Sequence, residues 1–210
     1  MAKTKAFDEN TERYDTWFER HASLYRSEVA AVRDLLPARG KGLEVGVGTG
    51  RFAGPLGITC GVEPSAAMRE TARARGIDAV HGVGEHLPYP DSYFDFVLMV
   101  TTICFLDDVG AALAEAFRVT RPGGCMVIGF VDRESDIGRT YLEHKHENPF
   151  YADAEFFSTD EVSRYLEDAG FSDPVFRQTV FEGPGGAEEV ETPREGHGLG
   201  SFVVVRALRP

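Results

Sequence analysis

Cysteine is scarce in this sequence, basic residues are in deficit, and no long apolar run occurs. The three cysteines, Cys60, Cys104 and Cys125, are an odd number, lie in or beside apolar strand-like runs, and lack ligand spacing such as C-x-x-C. They read as buried free thiols, and no metal is expected. Without a run near the ~20 apolar residues that cross a bilayer, no membrane partner is expected. The opening residues Met1 to Asp8 carry no apolar core of a secretion signal, which points to a cytoplasmic location. Lys and Arg number 22 against 34 Asp and Glu, a formal charge of −12. That field opposes polyphosphate chains, so no nucleic-acid partner is expected.

What is present is the composition of an ordinary globular domain, 42% apolar over 210 residues, read as one domain over 1–210 with an N-terminal helical segment at 1–36. Leu24, Tyr25, Val29, Val32, Leu35 and Leu36 recur at helical spacing, stopped by Pro37 and Gly40. A shorter helix is expected over Thr11–Phe18. Strand-like and helix-like segments then alternate: Gly42–Val45, a helix from about Gly50, Ile58–Val62, a helix over Ser65–Arg75, and a strand near Ala79–His81. This rhythm predicts a parallel sheet. The run Phe94–Val100, apolar except for Asp95, reads as its central strand. Asp107 and Asp108 precede a helix that Arg121-Pro-Gly-Gly124 ends before a fifth strand, Cys125–Val131. Ser158-Thr-Asp-Glu161 reads as a capping box, with Gly170 placed to end that helix. The last two strand candidates, Val175–Phe181 and Phe202–Leu208, have no helix between them and should pair antiparallel. The fold class expected is α/β: a single Rossmann-like doubly wound sheet, mostly parallel with an antiparallel final strand.

A strand entering Glu44-Val-Gly46-Val-Gly48-Thr-Gly50 and leaving as a helix must turn sharply, and glycines allow both the backbone angles and close ligand approach. In open α/β sheets, ligands bind beyond the carboxyl ends of the strands. The next such end, Gly61-Val62-Glu63-Pro64, offers a carboxylate that can accept hydrogen bonds from both hydroxyls of a ribose. A nicotinamide cofactor fits these features too, and Gly48-Thr-Gly50-Arg-Phe-Ala53 satisfies G-x-G-x-x-A in a shifted frame. Glu44 separates the two: a carboxylate there suits a cationic amine and repels a pyrophosphate.

Over roughly Leu36–Val131 these residues resemble the class I S-adenosylmethionine-dependent methyltransferases, in particular the group related to the quinone-biosynthesis methyltransferases, whose first motif reads acid-x-G-x-G-x-G. Gly84-Glu-His-Leu-Pro88 followed by Phe94-Asp-Phe-Val97, and Arg121-Pro-Gly-Gly124, are similar to further stretches of that family. The resemblance implies S-adenosylmethionine as cofactor and S-adenosylhomocysteine as product. It implies Glu44, Gly46, Val47, Gly48 and Gly50 beside the methionyl part, Glu63 with Pro64 at the ribose, and Gly84, Glu85 and His86 at the adenine. Val100, Thr101 and Tyr14 complete the expected contacts. Where the family commonly has an aspartate for the adenine amino group, this chain places Val83. His86 also reads as a capping or surface histidine. Tyr14, Trp17 and Phe18 fit either closure over the methionyl group or packing of an amphipathic segment.

Methyl transfer from a sulfonium needs alignment and exclusion of water more than a dedicated catalytic group. Thr101, Thr102 and Cys104 are poor bases at neutral pH, and no catalytic residue is assigned. The segment 132–157, rich in aromatics such as Tyr141, Phe150 and Tyr151, is expected to form a substrate cap. The acidic loop Glu182–Glu195 reads as solvated, with a cationic acceptor as the other reading. The Asn- or Asp-Pro-Pro-aromatic motif of amino-methylating nucleic-acid enzymes is missing after Val100, as is a Pro-Cys nucleophile. A small-molecule acceptor is therefore expected. Two rival readings are a cofactor-binding regulator that transfers nothing and, less favoured, an NAD-dependent oxidoreductase.

Overall fold

The computed structural model describes residues 3–182 and 189–210. Its sheet is built around β4 (Phe94–Val100), the apolar run expected at the centre. On one side lie β1 (Gly42–Val45), β2 (Cys60–Val62) and β3 (Asp78–Val80), all parallel to it; β5 (Thr120–Val131) adds a parallel strand on the other. Then come β8 (Phe202–Leu208), β6 (Ser172–Thr179) and β7 (Arg194–Glu195), giving the order β3-β2-β1-β4-β5-β8-β6-β7. β8 is antiparallel to both β5 and β6, as the helix-free connection predicts. The strand order reverses between β1 and β4, at the point where an open α/β sheet leaves a crevice between two crossovers.

Strand periodicity divides the core into two layers. Val97, Met99, Met126 and Ile128 face α6 (Val109–Val119) and α8 (Thr159–Asp168). Phe96, Leu98, Val127 and Val204 face α3 (Ala22–Leu35), with α4 (Ala53–Leu56) and α5 (Ala66–Ala74) on the same side. Ahead of them, α1 (Lys5–Glu9) and α2 (Thr11–Arg20) cross the carboxyl ends of the strands, and α7 (Asp136–Glu143) follows β5. Ser65, Asp108 and Ser158 cap the helices that follow them, and Ser158 with Glu161 completes the expected capping box.

Most element ends shift by a few residues, β6 for example running over Ser172–Thr179, and two differences from the sequence reading alter the sheet itself. Arg121-Pro-Gly-Gly124 is part of β5 rather than the stop before it. The Gly123 N–H donates to the Arg209 carbonyl and the Arg209 N–H to the Gly124 carbonyl, both at 2.8 Å, so the chain's tail holds these residues in the sheet. The pairing with β4 jumps there, from Phe94 opposite Thr120 to Phe96 opposite Cys125, a bulge that accommodates Pro122 without an N–H. The second is β7, two exposed residues paired with Arg177 and Gln178, too short and polar to show a pattern in sequence. Of the loop expected between the last strands, 183–188 lie outside the described residues. Among the described residues no helix is long and apolar enough to cross a membrane.

Leu98 is fully buried at mid-sheet. Leu98→Ala should lower unfolding stability by about 2–5 kcal/mol in urea titration, the range for a buried leucine that leaves a cavity. A loss well under 1 kcal/mol would contradict tight packing between β4 and α3.

Candidate cofactor and acceptor cavity

The turn after β1 is held from the next strand. The N–H groups of Gly46 and Val47 both donate to the Val62 carbonyl, at 2.8 and 3.1 Å. Gly46 and Gly48 have φ of 69° and 54°, in the left-handed region. A Cβ on Gly46 would stand 2.4 Å from the Thr102 side chain, so the turn closes only with glycine there. Beside it, the Glu63 carboxylate takes one backbone N–H on each oxygen, Gly48 on Oε2 and Ser65 on Oε1, both at 2.9 Å. Each oxygen keeps a further lone pair for a ligand hydroxyl. Glu63 is buried, and burial pushes its carboxyl above the usual range.

These groups open on a cavity of about 480 Å³, within the range of roughly 300–1,000 Å³ typical of small-molecule sites. Of the expected contact residues, Tyr14, Gly46, Gly48, Glu63, Pro64, Gly84, Glu85, Val100 and Thr101 line it together. Thr101 closes β4 with a φ of 50°, an uncommon angle for a side-chain-bearing residue, and its N–H donates to the Gly129 carbonyl. Val83, Gly84, Ile103 and Leu106 are among the lining residues, and the Leu106 side chain lies against Gly84, so apolar groups stand where the family has its aspartate. The Glu85 carboxylate lies along this edge and accepts from the N–H groups of Asp107 and Asp108 at 2.8 and 3.2 Å, ahead of α6.

Four expected contacts fall outside the lining. Glu44 sits within β1 and faces the α3–α4 layer, because its neighbours Leu43 and Val45 face the other. One of its oxygens accepts from the Ala53 N–H at the start of α4, and Oε2 has no partner. Burial, with the charge of Glu63 adding to it, pushes the Glu44 carboxyl well above its ordinary value. Val47 turns away to pack on Gly61, and Gly50 on Ile77. His86 is exposed, because Val83 and His86 pair across a tight turn that carries its ring outward.

The structure also supplies groups that the sequence reading did not single out. Asp15 on α2 accepts from Thr49 Oγ1 at 2.7 Å and from the guanidinium of Arg51 at 2.6 and 2.8 Å, and it pairs with Arg75. Burial works to raise its carboxyl, yet the hydrogen bonds from Arg75, Arg51 and Thr49 hold it well below the usual range. Ser65 Oγ donates to Asp8 at 2.6 Å. The two contacts clamp α1 and α2 over the glycine turn. From the 132–157 segment, Tyr141, Asn148, Phe150, Tyr151, Phe156 and Phe157 reach the cavity. Cys104 lines it as well, but burial pushes its thiol up to about 12, leaving it protonated at neutral pH. Glu28 of α3 is the least expected member, only 7% exposed and aimed into the cavity. It interrupts the row Leu24, Ala31 and Leu35 at helical spacing, and a charge in an apolar row is the signal that could have revealed it.

Residues 43–128 match the family model described as a methyltransferase domain. A solved structure from Thermotoga maritima, described as a SAM-dependent methyltransferase and possible histamine N-methyltransferase, is 47% identical, superposes with a TM-score of 0.96, and aligns over 99% of this chain and 100% of its own. An uncharacterised protein of Methanocaldococcus jannaschii is 41% identical over 96% of this chain and 97% of its own length. A demethylmenaquinone methyltransferase of Staphylococcus aureus is 33% identical over 52% of this chain and 50% of its own, in keeping with the resemblance to the quinone-related group.

Burial pushes the Glu28 carboxyl up to about 8 from an ordinary value of 4.5. Below 4.5 both folded and unfolded chains hold this proton. Between 4.5 and 8 the unfolded chain loses it while the folded chain keeps it, so stability falls as pH rises. Glu28→Gln should therefore raise the melting temperature at pH 8, and the gain should shrink toward pH 5. Calorimetric melts showing an equal gain at both values would contradict the assigned burial.

Proposed function

Because this chain belongs to the S-adenosylmethionine-dependent methyltransferases, we propose that it methylates a small organic acceptor held in the cavity between the glycine turn and the 132–157 segment. The observation that carries the reading is the Glu63 carboxylate, positioned by Gly48 and Ser65 with lone pairs to spare at the cavity wall. Those lone pairs suit the two hydroxyls of the donor's ribose. The left-handed glycines bring bare backbone to the methionyl part, and the unpartnered oxygen of Glu44 leaves a polar acceptor behind the turn. On the adenine side, the apolar wall of Val83, Ile103 and Leu106 would take the ring face, with the backbone of Gly84 at its edge.

S-adenosylmethionine supplies a methyl carbon already activated by its sulfonium. The chain's own task is then alignment and exclusion of water. Asp15 clamps α2 down, Tyr14 closes over Gly48, and Phe7 meets both Tyr14 and Phe105 edge-on at 5.9 and 5.1 Å. This aromatic lid, with the 132–157 segment acting as a cap, would enclose reactants of modest size. Enclosure and the charge of −12 favour a small molecule over a nucleic acid. The single-domain reading of 1–210 agrees with one continuous sheet among the described residues.

Calorimetry should show S-adenosylhomocysteine binding, and Glu63→Ala should weaken it by about 1–3 kcal/mol through loss of charged hydrogen bonds. An unchanged dissociation constant would remove Glu63 from the ribose. Incubation with methyl-labelled donor and a metabolite extract should yield a labelled small molecule. Binding without transfer to any component would favour a regulator.

A further inference from the structure

We propose that Glu28 is the acceptor-recognising residue of this site and that the acceptor is a small cationic amine. The inference rests on the methyltransferase reading above and names the substrate class for the same cavity. Glu28 occupies a core position of α3 at 7% exposure. Its carboxylate makes no hydrogen bond or ion pair with any described residue. The cavity's own cations, Lys3, Arg13 and Arg20, leave it unpaired, and burial alone accounts for its raised carboxyl. An unpartnered buried acid is costly, and a chain serving only its fold would place leucine or alanine in this row.

The surroundings identify the complement. Tyr14 on α2, Tyr25 on α3 itself, Tyr141 on α7 and Tyr151 beyond it all lie close enough to Glu28 for its ionised form to act on them. Tyr141 and Tyr151 stack with centroids 4.9 Å apart, and Phe156 packs on Tyr151 at 5.7 Å. A carboxyl that can hand its proton to an amine, set among aromatic faces, holds the resulting ammonium by charge and by the ring quadrupoles, while its ionised form repels a carboxylate or phosphate. Neutral acceptors gain only the apolar walls.

The same pairing prepares the nucleophile. Glu28 holds its proton in the folded chain at neutral pH, so the amine gives up its ammonium proton to water on entering and shares the proton of Glu28, as an ammonium beside a carboxylate in exchange with a neutral amine beside a carboxylic acid. The nitrogen lone pair then forms the N–C bond as the C–S bond breaks and sulfur keeps that electron pair. The products are S-adenosylhomocysteine and a methylammonium, which releases its extra proton to water and leaves Glu28 protonated as at the start. A carboxyl titrating near 8 in the empty cavity is suited to exchange a proton with an amine at neutral pH.

The test is calorimetry on protein saturated with S-adenosylhomocysteine, using 2-phenylethylamine, its neutral counterpart 2-phenylethanol, and 3-phenylpropionate as probes. The amine should bind at least tenfold more tightly than the alcohol, and the acid more weakly still. Glu28→Gln should lose at least tenfold in amine affinity, while its affinities for the alcohol and for S-adenosylhomocysteine stay within twofold. Equal binding of amine and alcohol, an undiminished amine affinity in Glu28→Gln, or no amine binding to protein that holds S-adenosylhomocysteine overturns the proposal and spares the donor site. Failure to bind S-adenosylhomocysteine at all overturns the donor site, and this inference with it.

Discussion

The carboxylate of Glu63 joins the two strand ends on which the cavity depends. It accepts from Gly48 in the turn after β1 and from Ser65 at the cap of α5, so one side chain holds the glycine turn against the second crossover. The double donation of Gly46 and Val47 to the Val62 carbonyl reinforces the same seam. With the seam closed, bare backbone lines one wall and a buried carboxylate lines the next. The ends of β4 and the turn at Gly84 complete the enclosure, because parallel strands all deliver their carboxyl ends to one edge of the sheet.

Three acids, Glu28, Glu44 and Glu63, are buried on this side of the molecule, in a chain already at −12. Burial raises all three carboxyls, so the fold carries an electrostatic cost that packing must offset. Their arrangements differ. Glu63 has two backbone donors and Glu44 has one, while Glu28 has none. Of the two that line the cavity, Glu63 at the part assigned to the donor is held by backbone, while Glu28 has no partner among the described residues, as expected where the unmet partner is a ligand. Asp15 shows the contrasting case, since two arginines and a threonine satisfy it and its work is to clamp a helix.

The N-terminal helices illustrate how little of such a lid is local. The α2 face carrying Tyr14, Trp17 and Phe18 is legible as amphipathic, yet whether it packs on the core or closes over a ligand is a question of placement. Phe18 is buried in the core with Tyr14 and Trp17 packed against the same cluster, and all three line the cavity, so both readings hold for one face at once. The clamp that sets this placement joins Asp15 to Arg51 and Arg75, residues 36 and 60 positions away, and leaves no periodic trace.

What the sequence by itself determined was the class of fold, the central strand, the capping box at Ser158, the antiparallel β6–β8 pairing and the family. These follow from short-range constraints: strand and helix periodicity, glycine where the backbone must turn left-handed, and connections too short for a parallel crossover. The structure alone decided which side chains reach the cavity. Glu44 and Val47 flank Gly46 in the motif but project away from the opening, because alternate strand positions face opposite layers and the turn aims only backbone at a ligand. His86 leaves the site because two residues of its turn pair with each other. Glu28 enters it because α3, packed on the sheet face formed by β5, β6 and β8, carries that residue to the cavity; the sequence shows a charge in an apolar row but not where that row is placed.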